Sequence, residues 1–148
     1  MKLTLAKTYL ALIFLVSVGC QTPGVLIAES HLAISDNRKA IVAAIGPTRL
    51  MSVNGRELTS NYHDRNFKFL DVTDKTKRRY YTKVVILGAR RPYELSVEVR
   101  ADERNPETGA FQDIGLDQGL SLARAKTIQE LLNQSRDKTS SIDGSNPF

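Results

Sequence analysis

The stretch from Tyr93 to Asp102, "YELSVEVRAD", alternates without a break: Tyr93, Leu95, Val97, Val99 and Ala101 on one side, Glu94, Ser96, Glu98, Arg100 and Asp102 on the other. A repeat of two is the repeat of a β-strand, so the segment predicts a strand with one buried and one wet face. Upstream, Tyr80 to Leu87 carries the unbroken apolar run Val84-Val85-Ile86-Leu87, the pattern of a more central strand, and "GARRP" (Gly88 to Pro92) joins the two. A chain with such a pair must cover one face of a sheet, which constrains the whole fold to strands packed under something else.

Two helices are available as cover. The first is predicted from Asp36 to Ile45, capped by Ser35, striped by Ile41, Val42 and Ile45, and stopped by Gly46-Pro47. The second runs from about Asp117 to Ser135, with Asp117 as cap and Leu120, Ala123, Thr127, Ile128, Leu131 and Leu132 as its apolar stripe. Between the first helix and the long strands, Asn54-Gly55 signals a two-residue hairpin in which Val53 faces Arg56 and Met51 faces Leu58, with Tyr62 on the Met51 and Leu58 face. Residues 63–79 read as either a short edge strand or an ordered loop, Glu103 to Gly115 as a loop, and residues 136–148 as a mobile tail. The predicted fold is α+β: one domain over residues 31–135, an antiparallel sheet of three to five strands with two helices on one face, in the order helix, hairpin, strand pair, helix.

The 148-residue chain has a single cysteine, Cys20, which excludes an intrachain disulfide and every multi-cysteine metal site. Cys20 ends a segment that reads as a processing signal: Lys2 and Lys7 supply a basic region, Thr8 to Val18 an apolar core of about eleven residues, and Gly19 a small residue before the cysteine. The apolar core is too short to span a bilayer, which takes about 20 residues. Gln21-Thr22-Pro23-Gly24 then breaks any continuing helix.

The window Ser17-Val18-Gly19-Cys20 resembles the lipobox of bacterial lipoprotein precursors, in which an aliphatic residue and a small or aliphatic one precede Gly, Ala or Ser and the modified Cys. Val18, Gly19 and Cys20 fit that pattern, and Ser17 departs from it. The resemblance implies that residues 1–19 are a signal peptide and that Cys20 becomes the first mature residue, carrying a diacylglycerol on sulfur and an acyl chain such as palmitate on its amino group. Several acyl chains make such an anchorage effectively permanent. Residues 20–30 are then the lipidated cysteine and a tether. Gln21, in place of Asp, implies an outer-membrane anchor with the domain facing the periplasm. The size, lipobox and element order are also similar to those of small uncharacterised α+β envelope lipoproteins, including some that help assemble outer-membrane components.

The residues that carry chemistry are sparse. His31 and His63 are the only histidines and lack metal-ligand spacing, so no metal site is expected. His63-Asp64 is triad-like only in name, since adjacent residues rarely orient one another and no G-x-S-x-G motif accompanies them; a solvated turn is the expected setting. Asp71, Asp74 and Asp113 fall in predicted loops, where aspartate serves local turns. The formal charge of +5 falls to +3 once Lys2 and Lys7 are set aside, too little for a nucleic-acid partner to be expected.

One basic group stands out, Lys75, Lys77, Arg78, Arg79 and Lys83, leading into the first long strand; Arg90-Arg91 lie at that strand's far end, some 26 Å away. Such a group suits an anionic headgroup, lipopolysaccharide phosphate or glycan carboxylate, or else protects a sheet edge by charge. The reading that results is a non-catalytic, lipid-anchored envelope protein without a cofactor beyond its lipid, acting as a structural, assembly or interaction module on an envelope protein partner. The alternative is a binding module for an anionic envelope lipid or glycan. A hydrolase with a dispersed site is the third class, and it requires His63 in a pocket with a carboxylate and a hydroxyl within reach.

Overall fold

The structure, a computed structural model, describes residues 24–143, with side chains through residue 138. The leader, Cys20 and residues 144–148 lie outside the described residues. In chain order the elements are β1 (Val25–Ser30), α1 (Ile34–Ile45), β2 (Thr48–Met51), β3 (Glu57–Ser60), β4 (Arg78–Leu87), β5 (Tyr93–Arg104), β6 (Phe111–Leu116) and α2 (Gln118–Asp143). The fold is α+β, with an antiparallel sheet of six strands and two helices among the described residues. None of the described helices is long and apolar enough to cross a membrane.

The predicted strand pair forms the centre of the sheet, in register from Arg78 opposite Glu103 to Leu87 opposite Glu94. Alternation decides its faces. Tyr80, Thr82, Val84 and Ile86 of β4 and Tyr93, Leu95, Val97, Val99 and Ala101 of β5 are buried on one side. Ala40 and Ile41 of α1 and Ala125, Ile128 and Leu132 of α2 close over that side, together with Ile27 and Leu58. Each fully buried branched side chain there contributes about 1.5–3 kcal/mol.

β3 pairs with β4, and β2 with β3 at the edge. Met51 faces Leu58 as expected. The connection is not a two-residue loop, however. Ser52 N–H donates to Glu57 O at 2.9 Å, and Gly55 N–H donates to Ser52 O at 2.8 Å, so residues 53–56 all lie in the loop. Gly55 alone takes the left-handed conformation (φ 64°), while Asn54 uses its side chain, accepting from Ser52 Oγ at 2.7 Å and Arg56 N–H at 3.1 Å. Side-chain turn bonding thus displaces the type I′ geometry that the dipeptide suggests. Tyr62 also departs from expectation: its ring meets Tyr81 edge-on, 6.3 Å away, on the face opposite the helices.

The outer edge of β5 carries three partners in sequence. β1 pairs with its first half, from Tyr93 to Val97, and β6 with its second, from Arg100 to Arg104. Between them the start of α2 takes over: Asp117 N–H donates to Val99 O at 2.8 Å, and Val99 N–H donates to Ser121 Oγ at 2.8 Å. Ser121 in turn donates to Asp117 O at 2.7 Å. The start of α2 thus bonds the stretch of the β5 edge that neither β1 nor β6 reaches, as a buried backbone requires.

These strands correct three expectations. The sheet has six strands rather than three to five, with a strand before the first helix and another before the last. The expected tether at residues 20–30 is β1 from Val25 onward, where Ile27 is buried in the core and a bulge at Glu29 (φ 61°) breaks the register. The expected loop at 103–115 contains the end of β5 and most of β6. Both new strands lie on one edge and expose half of their residues, in an order that does not alternate.

α1 begins two residues earlier than expected, at Ile34, and its N-cap is Ala33 without a side-chain bond; Ser35 does not cap it. The buried positions are Asn37, Ala40 and Ile41. Asn37 accepts from Ser30 Oγ at 2.6 Å and donates to Leu32 O and Ala33 O, each at 3.1 Å, fastening β1 to the helix. α2 is capped as predicted, with Leu120 N–H donating to Asp117 Oδ1 at 3.0 Å. Its buried side is Ser121, Arg124, Ala125, Ile128 and Leu132, whereas Ala123 and Thr127 are exposed. The helix continues through Asp143, into the segment expected as a mobile tail.

Candidate functional site

The five basic residues do not form one patch. Alternation along β4 sends Arg78 to one face and Arg79 and Lys83 to the other. Arg78 pairs with Glu103 directly opposite at 2.8 Å, and Lys83 with Glu57 at 2.8 Å. Arg79 is the most enclosed: its Nε lies 2.9 Å from Asp102 Oδ2, and its side chain and that of Asp102 are only 17% and 11% exposed. Its guanidinium sits between the rings of Tyr62 and Phe111, 3.8 and 3.9 Å from their centroids. Arg49 also lies over the Tyr62 ring at 4.4 Å, and Arg104 over the Phe111 ring at 4.5 Å. The result is a cluster of three arginines and two aromatic rings on the open face of the sheet, tying β2, β4, β5 and β6 together.

Lys75 and Lys77 have no carboxylate within ion-pair distance among the described residues. Both line a cavity of about 750 Å³ at the end of the sheet, shared with Asp74, Glu103, Arg104 and Ile114. Arg104 orders the loop that carries the lysines, donating to Thr73 O and Thr76 O at 2.9 Å each and to Gly109 O at 3.1 Å. Two ammonium groups beside a partly apolar hollow can take an anionic group with an apolar portion, although Asp74 and Glu103 temper the field.

His63 departs from the expected solvated turn. It is 4% exposed, bridges Tyr80 and Phe69, and stacks on the Tyr80 ring at 6.2 Å on the helix side. Asp64 O accepts from Nδ1 at 2.8 Å, so Nδ1 carries the proton and Nε2 accepts from Thr82 Oγ1 at 3.1 Å. Burial holds its pKa below the usual range, and the charge of Arg124 acts in the same direction. The hydroxyl demanded of a hydrolytic site is present, but the carboxylate of Asp64 is turned to its own loop, accepting from Asn66 N–H at 2.7 Å and Lys68 N–H at 3.0 Å. Among the described residues no cluster of histidine and acid side chains has the makings of a metal site. Asp113 pairs with Arg100 at 2.8 Å, and this hydrogen bond holds its carboxyl below the usual carboxylate range.

Arg124 has no counterpart in the sequence reading. It is 7% exposed on the inner side of α2, with its guanidinium 3.8 Å above the Phe67 ring. Nη1 donates to Ala44 O in the last turn of α1, and Nε has no partner. No carboxylate among the described residues pairs with it, and burial alone pulls its pKa down. The available signal was helical spacing: Arg124 lies four residues before Ile128 and eight before Leu132, in phase with the buried side. Comparison with protein-family profiles, curated sequences and solved structures finds no match to this chain.

Proposed function

We propose that the protein is a non-catalytic, lipid-anchored module of the cell envelope, held at the outer membrane through Cys20, whose α+β domain engages another envelope component on the periplasmic side. The observation that carries the reading is the lipobox-like window together with the position of the folded chain: Gly24, beside Glu98 and Val97 of β5, lies only four residues after Cys20. Four residues reach at most about 14 Å, so an anchor at Cys20 holds the domain close against the bilayer rather than on a stalk. The setting of His63, with both ring nitrogens engaged and no carboxylate behind it, supports a binding role over a hydrolytic one.

The test is mass spectrometry of the mature protein from membranes. The expected mass is that of a chain beginning at Cys20 with diacylglycerol and an acyl chain attached. An intact Met1 terminus or an unmodified Cys20 overturns the anchor. Crosslinking in the native envelope then tests the partner.

A second reading, recognition of an anionic lipid or glycan, is favoured by one observation: of the five basic residues, Lys75 and Lys77 alone lack a carboxylate partner, and they share a cavity. Lys75→Glu with Lys77→Glu is expected to abolish salt-sensitive binding to anionic vesicles; unchanged binding removes the idea.

A further inference from the structure

We propose that the pocket between the end of α1 and residues 61–69, walled by Arg124, binds a small organic monocarboxylate. The pocket holds about 260 Å³ and is bounded by Arg124, His63, Tyr62, Phe67, Phe69 and Pro47. It is separate from the Lys75 and Lys77 cavity and independent of any anchor.

The argument begins with charge. A guanidinium withdrawn from water normally faces a carboxylate, because neither a carbonyl nor a ring face replaces the solvation of a full positive charge. Arg124 has only the Ala44 carbonyl and the Phe67 ring, and its Nε is sealed off without any acceptor. A full charge withdrawn in this way calls for a counter-charge. The ordinary one, a neighbouring acid, is absent among the described residues, while the space beside the guanidinium is open. An anion from solution fits both facts.

The walls specify which anion. Phe67, Phe69 and Pro47 give the pocket one apolar side, which suits an apolar body beside a polar head, and the planar fork of arginine matches a carboxylate. The last turn of α1, Ala43 to Ile45, also borders the pocket, and a helix C-terminus presents its negative end. That end opposes a dianion such as phosphate more strongly than a monoanion. His63 adds no second positive charge, since burial keeps it neutral.

Benzoate, neutral benzamide and inorganic phosphate are the probes, titrated into the full chain in detergent and followed by amide chemical shifts. Benzoate is expected to shift Gly46, His63 and Phe67 saturably, with benzamide and phosphate at least tenfold weaker. Arg124→Met is expected to abolish the shifts. Because that variant also removes a helix-end contact, Ala43→Trp, placed on the exposed mouth, serves as a second block that leaves the core intact. Absence of saturable shifts, equal binding of benzamide, tighter binding of phosphate, or unaltered benzoate binding in Ala43→Trp each overturns the proposal.

Discussion

Arg79 and Asp102 face each other across β4 and β5, Nε to Oδ2 at 2.9 Å, with the guanidinium closed between the rings of Tyr62 and Phe111. One strand position away, Arg78 and Glu103 make a pair of similar length, but both of their side chains are about half exposed. The two pairs differ in what surrounds them, and their energies follow. Removing one partner of an enclosed pair strands a charge, so Asp102→Ala should cost about 3 kcal/mol, whereas Glu103→Ala should cost less than about 1 kcal/mol. Arg79→Lys should recover little, because an ammonium cannot stack on two rings at once. Urea titration of the variants checks this; equal losses at the two positions contradict it.

Ser121→Ala removes the acceptor of the Val99 amide, a donor in the middle of β5 that neither β1 nor β6 reaches. The stranded N–H is expected to cost about 1–3 kcal/mol. Amide hydrogen exchange gives a local reading: Val99 should lose protection, while Val84, on the other side of the sheet's central pair, should change only as much as global stability does.

Asn37 is fully buried and holds three polar groups at the junction of β1 and α1. Asn37→Leu keeps the branched outline, somewhat enlarged, but leaves the Ser30 hydroxyl and two carbonyls without a partner in it, an expected loss of about 2 kcal/mol. Ser30→Ala should cost less, since the Asn37 amide still reaches both carbonyls. The reverse order in thermal or urea midpoints would count against this account of the junction.

The depressed pKa of His63 sets a pH dependence whose sign can be worked out. The folded protein keeps the ring neutral below the ordinary value of 6.5, while the unfolded chain takes up a proton there. Unfolding therefore binds a proton, and the contribution of His63 to stability is full above pH 6.5 and declines as pH falls toward the folded-state value. Urea stability from pH 8 to pH 5 should fall more steeply for the wild type than for His63→Gln. A wild type that gains on the variant during acidification would falsify the burial account.

The centre of the sheet was legible in sequence because β4 and β5 have one dry face and leave a period of two in their residues. β1 and β6 were not, because each pairs on one side only and exposes half of its residues out of alternation. α2 was legible as a helix but not in its phase: small and polar residues, Ser121, Arg124 and Ala125, occupy the inner side, while the more apolar Leu122 is largely exposed. The basic group could be read as charge but not as pairing, since Arg78 and Arg79 find their acids more than twenty positions away. The role of Arg124 is hidden in the sequence for a related reason. A lone arginine in a helix reads as solvated until the packing that encloses it is known.

The place of β1 in the sheet also bears on the order of events during folding. Val25 pairs with Val97, so β1, the first strand among the described residues, waits for a partner about 70 residues later, whereas β4 and β5 meet across a short turn. Local hairpins close early and distant pairings late. Val25 to Ser30 thus remain an unclaimed strand until β5 exists.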